Sequence, residues 1–307
     1  MRRVVVTGAD GFLGGHLVRE LWRHDIHVTA LGRLPGDQAS YIAMGDAPWS
    51  SPRLAQIIEK AEPEVVFHLV GGLAGSAAEL EQLNVGVAMS LMRSVWDMQV
   101  RPLLVFCGSA AEYGSAAVDG MPIDELTVCA PANAYGASKL AQTEAALAFS
   151  ERTGTPVLIA RIFNPIGPGM PPYLALGDFA RQIASMHGGR GALQTGDLRI
   201  FRDFLDVDHV VHTMRRLAMN PRARGIVNVC SGEATELRTL VDKLIKASGK
   251  DVTIEIMPAR VRAGEIRTVV GSTALLCRLG AAPPATDYDD LVARIWQDAQ
   301  TRWAPGS

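Results

Sequence analysis

Tyr135 and Lys139 stand four residues apart in Tyr135-Gly136-Ala137-Ser138-Lys139, so on a helix a phenol and an ammonium project from one face. The positive charge favours the phenolate and should bring the phenol pKa towards working pH. Ser109, at the carboxyl end of a candidate strand, offers a hydroxyl to a carbonyl oxygen. Together the three suit delivery of a hydride to a ketone: Tyr135 protonates the developing alkoxide, Lys139 tunes Tyr135, and Ser109 orients the carbonyl. A Tyr and Lys on a helix surface and a serine in a turn are the plain alternative. The position of Ser109 at the carboxyl edge of a sheet, where ligands bind, favours the chemical reading.

A hydride needs a carrier. Thr7-Gly8-Ala9-Asp10-Gly11-Phe12-Leu13-Gly14 gives G-x-x-G-x-x-G directly after one strand pattern and directly before a helical one. Gly8, Gly11 and Gly14 permit a tight turn and let backbone N–H groups approach a pyrophosphate at a helix N-terminus, which Phe12 and Leu13 open. The alternative is a glycine-rich turn without a ligand. An acid that would bond the ribose of NAD is expected about 20 residues on. Here the strand ends Leu31-Gly32-Arg33. Arg33 can pair with a 2′-phosphate, so NADP(H) is preferred and NAD(H) is the lesser choice. A solvated surface arginine is the alternative. Asp46, after the third candidate strand region, is a candidate for the adenine edge or a turn residue. Leu69 and Ile162, with Tyr135 and Lys139, complete the expected cofactor contacts.

These residues need a scaffold. Short β-branched runs at Val4–Val6, His27–Leu31, Val65–Val70, Leu103–Cys107 and Val157–Ile162 alternate with helical patterns at Gly14–His24, Leu54–Ala61, Leu80–Met98 and Ala134–Thr153. This alternation predicts βαβ units. The strands are apolar throughout, as in a parallel sheet covered on both faces. The expected fold class is α/β: a Rossmann-type doubly wound parallel sheet with a smaller C-terminal substrate-binding domain. After Asn164 a run rich in proline and glycine reads as a loop leaving the sheet, and Ile226–Cys230 reads as a strand returning to it. Both domains are then discontinuous: 1–164 plus about 204–230 for the cofactor, and about 165–203 plus 231–307 for the substrate.

The chain has 307 residues, 48% hydrophobic and 20% charged, with a net charge of -2. Scattered basic residues give no electrostatic case for nucleic acid or a membrane surface as partner. Cys107, Cys129, Cys230 and Cys277 form no CxxC pair, so neither a disulfide framework nor a cysteine metal site is expected. Asp206, Asp208, His209 and His212 match no closed ligand set and read as the start of a helix with Asp at its N-terminus, so no metal is expected. The apolar run after Met1 is too short for a signal peptide, and none approaches the roughly 20 residues of a membrane span. A cytoplasmic protein is the expectation.

In combination these segments resemble the extended short-chain dehydrogenase/reductases. Thr7 to Gly14 is similar to that family's cofactor loop and Phe67-His68-Leu69 to a segment at the end of a sheet strand. Asn84-Val85-x-Val87 is similar to a helix whose Asn supports the active site. Ser109, Tyr135 and Lys139 fall on the catalytic triad. Arg161 to Gly169 looks like the turn into the substrate domain, and Arg202-Asp203-Phe204-Leu205-Asp206-Val207 like the sugar-nucleotide segment. Within the family, Gly108 to Gly114, Gly177 to Ile183 and Asn228 to Gly232 most resemble the reductases of GDP-4-keto-6-deoxy-mannose. The resemblance implies that Ser109, Asn164, Arg181, Arg202, Arg262 and Glu265 contact the substrate. It also implies NADPH-dependent reduction of the 4-keto group of a nucleoside-diphosphate 6-deoxy-4-keto-hexose, and a homodimer; the helical stripe of Leu83, Val87, Leu91, Val95 and Met98 is either core or the dimer face. Ala110 and Ala111 replace the acid pair of the related dehydratases, so elimination lacks its acid and base. A 4-epimerase that retains NAD is the alternative, and a non-catalytic NADP-binding regulator a remote one. The base of the nucleotide, the sugar stereochemistry and the oligomeric state are not fixed by these residues.

Overall fold

Val4, Val5 and Val6 are each exposed by 1% or less, because helices cover both faces of the sheet they begin. The computed structural model describes residues 2–34, 36, 40–46, 48–261 and 266–304. Its main sheet has seven strands: β1 (Arg3–Thr7), β2 (His27–Gly32), β3 (Tyr41–Ala43), β4 (Val65–His68), β5 (Leu103–Ser109), β6 (Val157–Ile162) and β7 (Gly225–Val229). Their order is β7-β6-β5-β4-β1-β2-β3, with every neighbouring pair parallel. The direction of winding reverses between β1 and β4, which opens a crevice at their carboxyl ends.

The helices are α1 (Phe12–Trp22), α2 (Ser51–Ala61), α3 (Ala77–Glu81), α4 (Val87–Val95), α5 (Ala134–Thr153), α6 (Ala175–Ala184), α7 (Val207–Met219), α8 (Leu237–Ser248), α9 (Ala274–Arg278) and α10 (Tyr288–Trp303). Alternate strand residues point to opposite faces. Val4 and Val6 pack with Leu17 and Leu21 of α1 and Val210 and Met214 of α7, while Val5 packs with Leu54 of α2, Leu91 of α4 and Phe149 of α5. A separate core joins Phe179 of α6, Leu240 of α8 and Trp296 of α10. Around it lie short strands, among them Arg190–Thr195 paired with Asp251–Ile256.

Three details depart from expectation. The helix expected over Leu80–Met98 starts at Ala77 under a reciprocal cap between Ser76 and Glu79, passes through a π-helical turn at Gln82–Gly86, and continues as α4. The run after Asn164 is not all loop. Asn164–Ile166 pairs in parallel with Phe204–Asp206, a two-stranded ribbon that tolerates the missing N–H of Pro165. Leu276 and Ala281, which the expected division assigns to the smaller domain, pack among the residues beneath α1 and α7.

Candidate active site

The glycine loop joins β1 to α1 at the crevice. Gly8 has φ +71°, and a Cβ there would lie 2.8 Å from the Leu69 carbonyl carbon. A Cβ on Gly14 would lie 1.9 Å from Gly8 O, so only glycine lets α1 start so close to the loop. Gly11 N donates to Gly8 O at 3.0 Å. Gly11 is also the N-cap of α1, and no side chain caps its first turn, so N–H groups around Phe12 and Leu13 remain for an anion. Leu69, just past β4, donates its N–H to Thr7 O at 3.1 Å and closes the other wall.

At the far end of β2, Asp10 accepts the main-chain N–H of Arg33 at 3.0 Å. The Arg33 guanidinium lies 4.0 Å from Asp46, both side chains exposed, and such a pair holds its members only weakly. The two residues expected at the adenosine end are thus neighbours.

β5 ends at Ser109, which stands beside Ile162 of β6 in register. α5 begins one residue before Tyr135, capped by the Asn133 side chain, which accepts the Gly136 N–H at 2.8 Å. This start brings the Tyr135 phenol near the Ser109 hydroxyl. Burial pushes the phenol pKa up, and the neighbouring Ser109 hydroxyl opposes it. That direction is the reverse of the expected one. Lys139 is 4% exposed, and its Nζ donates to Gln142 Oε1. Burial pushes Lys139 down, against the influence of Cys107 and Glu112. At the phenol, desolvation outweighs the lowering influence of Ser109, and Cys107 and Glu112 add to the rise.

Three buried supports hold this group. Asn84, with no exposure, lies in the π turn. Its Oδ1 accepts the Gly72 N–H at 2.8 Å, and its Nδ2 donates to Gly72 O at 3.1 Å and Ser138 Oγ at 2.8 Å. Ser138 Oγ in turn donates to Tyr135 O at 2.8 Å. Glu112 is likewise buried and joins Ser109 of β5, Thr143 of α5 and Arg161 of β6 through its two oxygens. His68 closes the group from β4, its Nδ1 2.8 Å from Thr7 Oγ1. Burial pushes His68 down to about 3, and the Lys139 charge adds to the effect, so the ring is neutral.

The expected substrate residues sit on different supports. Asn164 donates through Nδ2 to Asp203 O at 3.0 Å. Arg181 of α6 bonds Asp178 at 2.6 Å, a carboxylate it shares with Arg260 at 2.8 Å. Arg202 Nη1 donates to Phe201 O at 2.8 Å and to Arg267 O at 3.1 Å. Arg262 and Glu265 lie outside the described residues. Asp203, inside the expected sugar-nucleotide segment, is fully buried and accepts from Ser231 N, Ser231 Oγ, Gly232 N and Gly271 N at 2.7–3.1 Å, which makes it an anchor for three chain segments.

Sequence reasoning missed Glu112, Gln142, Thr143, the pairing of Arg161, and the Asp178–Arg260 bond. It also missed Tyr173, whose phenol is near enough to Tyr135 to raise it further. A fully buried Glu and Arg 49 residues apart leave no local signal.

The pattern of the NAD dependent epimerase/dehydratase family matches residues 4–230. The chain is 31% identical over 319 residues to GDP-6-deoxy-D-mannose reductase of Pseudomonas aeruginosa, covering 98% of each. It is 30% identical over 263 residues to dTDP-6-deoxy-L-talose 4-dehydrogenase (NAD(P)(+)) of Kitasatospora kifunensis, covering 84% of this chain and 82% of that one. The solved structure of RMD from Pseudomonas aeruginosa complexed with NADPH superimposes with a TM-score of 0.81 at 29% identity, over 98% of this chain and 100% of that one.

Proposed function

The chain belongs to the NAD dependent epimerase/dehydratase family, and from that premise we propose that it reduces the 4-keto group of a nucleoside-diphosphate 6-deoxy-4-keto-hexose with NADPH. That it is an NAD(P)-dependent enzyme acting on a nucleotide sugar follows from the family and the relatives. The observation that carries the finer reading is the placement of the Tyr135 phenol beside the Ser109 hydroxyl at the carboxyl edge of the sheet, where the glycine loop opens.

The loop fits a dinucleotide: Gly8 and Gly14 leave no room for a Cβ, and the first turn of α1 has no side-chain cap. The nicotinamide cofactor, when bound, supplies the hydride. Gly8, Gly11 and Gly14 hold its pyrophosphate, and Arg33 pairs with the 2′-phosphate. Ser109 bonds the carbonyl oxygen and fixes its direction. Tyr135, kept protonated by burial, donates its proton to the oxygen as negative charge develops there. Lys139 lies one turn along the same helix and provides the nearby positive charge. Ala110 and Ala111 offer no acid or base for elimination. Asn164, Arg181 and Arg202, with Arg262 and Glu265, bind the substrate nucleotide and its diphosphate.

The reading includes a homodimer. Met89, Met92 and Trp96 with Phe149 and Arg152 line a groove between α4 and α5, and Trp96 is 43% exposed. Light scattering with size exclusion should give twice the chain mass. Among the described residues, no helix is long and apolar enough to cross a membrane.

The test is NADPH consumption with GDP-4-keto-6-deoxy-mannose. Wild type should turn over, Tyr135→Phe should lose 100-fold or more in kcat, and Arg33→Ala should lose its preference for NADPH over NADH. Interconversion of 4-epimers with no net cofactor consumption would instead establish the epimerase.

A further inference from the structure

We propose that Glu20, His24 and His212 form a binding site for a divalent cation of the zinc class, bridging α1 and α7. Among the described residues these three are the one group of His, Cys, Asp and Glu side chains whose ligand atoms all lie within 4.8 Å of one another. They stand clear of the candidate active site: Glu20 is nine residues past Gly11, roughly 13 Å along the helix axis.

Glu20 Oε1 lies 3.2 Å from His24 Nε2 and 3.1 Å from His212 Nδ1. In a tetrahedral shell with bonds of about 2.0–2.2 Å, neighbouring ligand atoms stand about 3.3 Å apart. Two edges of such a shell already exist. Two neutral imidazoles and a carboxylate are a set that zinc accepts, with one position left for water.

The arrangement is also preorganised. Glu20 is 7% exposed and follows from helix packing. His24 comes one turn later, where its N–H donates to Leu21 O at 3.1 Å and the next residue, Asp25, holds φ +53°. His212 is fixed by α7, which packs along α1. The His24 and His212 side chains are 44% and 42% exposed, so an ion reaches the group from solvent.

Arg215 competes for the same carboxylate, its Nε donating to Glu20 Oε1 at 2.9 Å. Both edges run to Oε1, so the cation and the guanidinium share that oxygen. The positive neighbour weakens the site, and micromolar rather than nanomolar affinity follows. The two acids of the 206–212 segment do not compete. Asp206 caps α7 by accepting the Asp208 N–H at 2.9 Å, and Asp208 bonds His16 at 2.7 Å.

The test titrates zinc chloride into chelator-treated protein by calorimetry, for wild type, His24→Ala and His212→Ala. All three are checked for retained NADPH binding, which reports an intact fold. The expected result is one ion per chain, affinity at least tenfold lower in both variants, and a thermal midpoint that zinc raises by a few degrees in wild type only. Absence of binding up to 100 µM zinc, or unchanged stoichiometry and affinity in both variants, overturns the proposal. The latter outcome puts the ion elsewhere, as at the four free cysteines.

Discussion

Glu112 accepts the main-chain N–H of Ser109 at 2.7 Å. Through its other oxygen it accepts the Arg161 guanidinium at 2.8 Å, so the charge that fixes the proposed carbonyl-orienting residue is itself fixed by the adjoining strand. Arg161 lies 4.5 Å over the Tyr113 ring, and Tyr113 donates to Asn228 of β7 at 2.7 Å. One buried carboxylate thereby ties the site to the sheet from β5 to β7.

Removing that charge should disturb the site before it disturbs binding. Glu112→Gln keeps an oxygen for Ser109 but leaves Arg161 without its counter-ion, and should cost about 3 kcal/mol of stability by urea denaturation. It should lower kcat about tenfold with KM little changed. A Glu112→Leu, Arg161→Met double variant should be more stable than Glu112→Leu alone, because no charge is then stranded.

Asn84→Ala strips two hydrogen bonds from half-buried Gly72 and one from buried Ser138. A loss of about 3 kcal/mol is expected, again by denaturation. The Tyr135 turn loses its link to Gly72, so kcat should fall even in conditions where the variant is fully folded.

Gly14→Ala should act on the cofactor. Its methyl would meet Gly8 O at 1.9 Å, so the loop must move. The Kd for NADPH, followed by fluorescence, should rise at least tenfold. An unchanged Kd would mean that the loop does not hold the pyrophosphate.

His68 predicts acid lability. Its pKa falls from about 6.5 to about 3 on folding, so the unfolded chain takes up a proton first as pH drops. The stability this contributes is complete above about pH 6.5 and is lost as pH falls towards 3, up to about 5 kcal/mol. His68→Gln should flatten the denaturation midpoint across that window.

The parts legible in the sequence were those with local spacing. The glycine loop follows from three residues within seven, and the Tyr135–Lys139 pair from one helical turn. α5 runs over the expected Ala134–Thr153 because Asn133 and Gly154 mark its ends. The smaller core was less legible. So was a separate sheet of four strands that includes Phe201–Arg202 and Thr235–Glu236, strands too short to show a period of two. The resemblance implies substrate contact for Arg181, and Asp178 holds it three residues away. Both charges are solvated-looking in isolation, and only the fold brings Arg260 to the same carboxylate. The phenol pKa of Tyr135 was misread because spacing reveals the ammonium but not the desolvation.

The widened turn at Gln82–Gly86 also changes how chain length should be judged here. A π turn spends one residue more than an α turn on the same advance, so deleting one residue would leave a more regular helix with better-formed backbone bonds. The turns on either side would keep their facing, but the bulge that presents Asn84 to both Gly72 and Ser138 would be gone. A one-residue gap at this point between otherwise similar chains is therefore a loss of catalytic support, although by helix propensity alone it would count as an improvement.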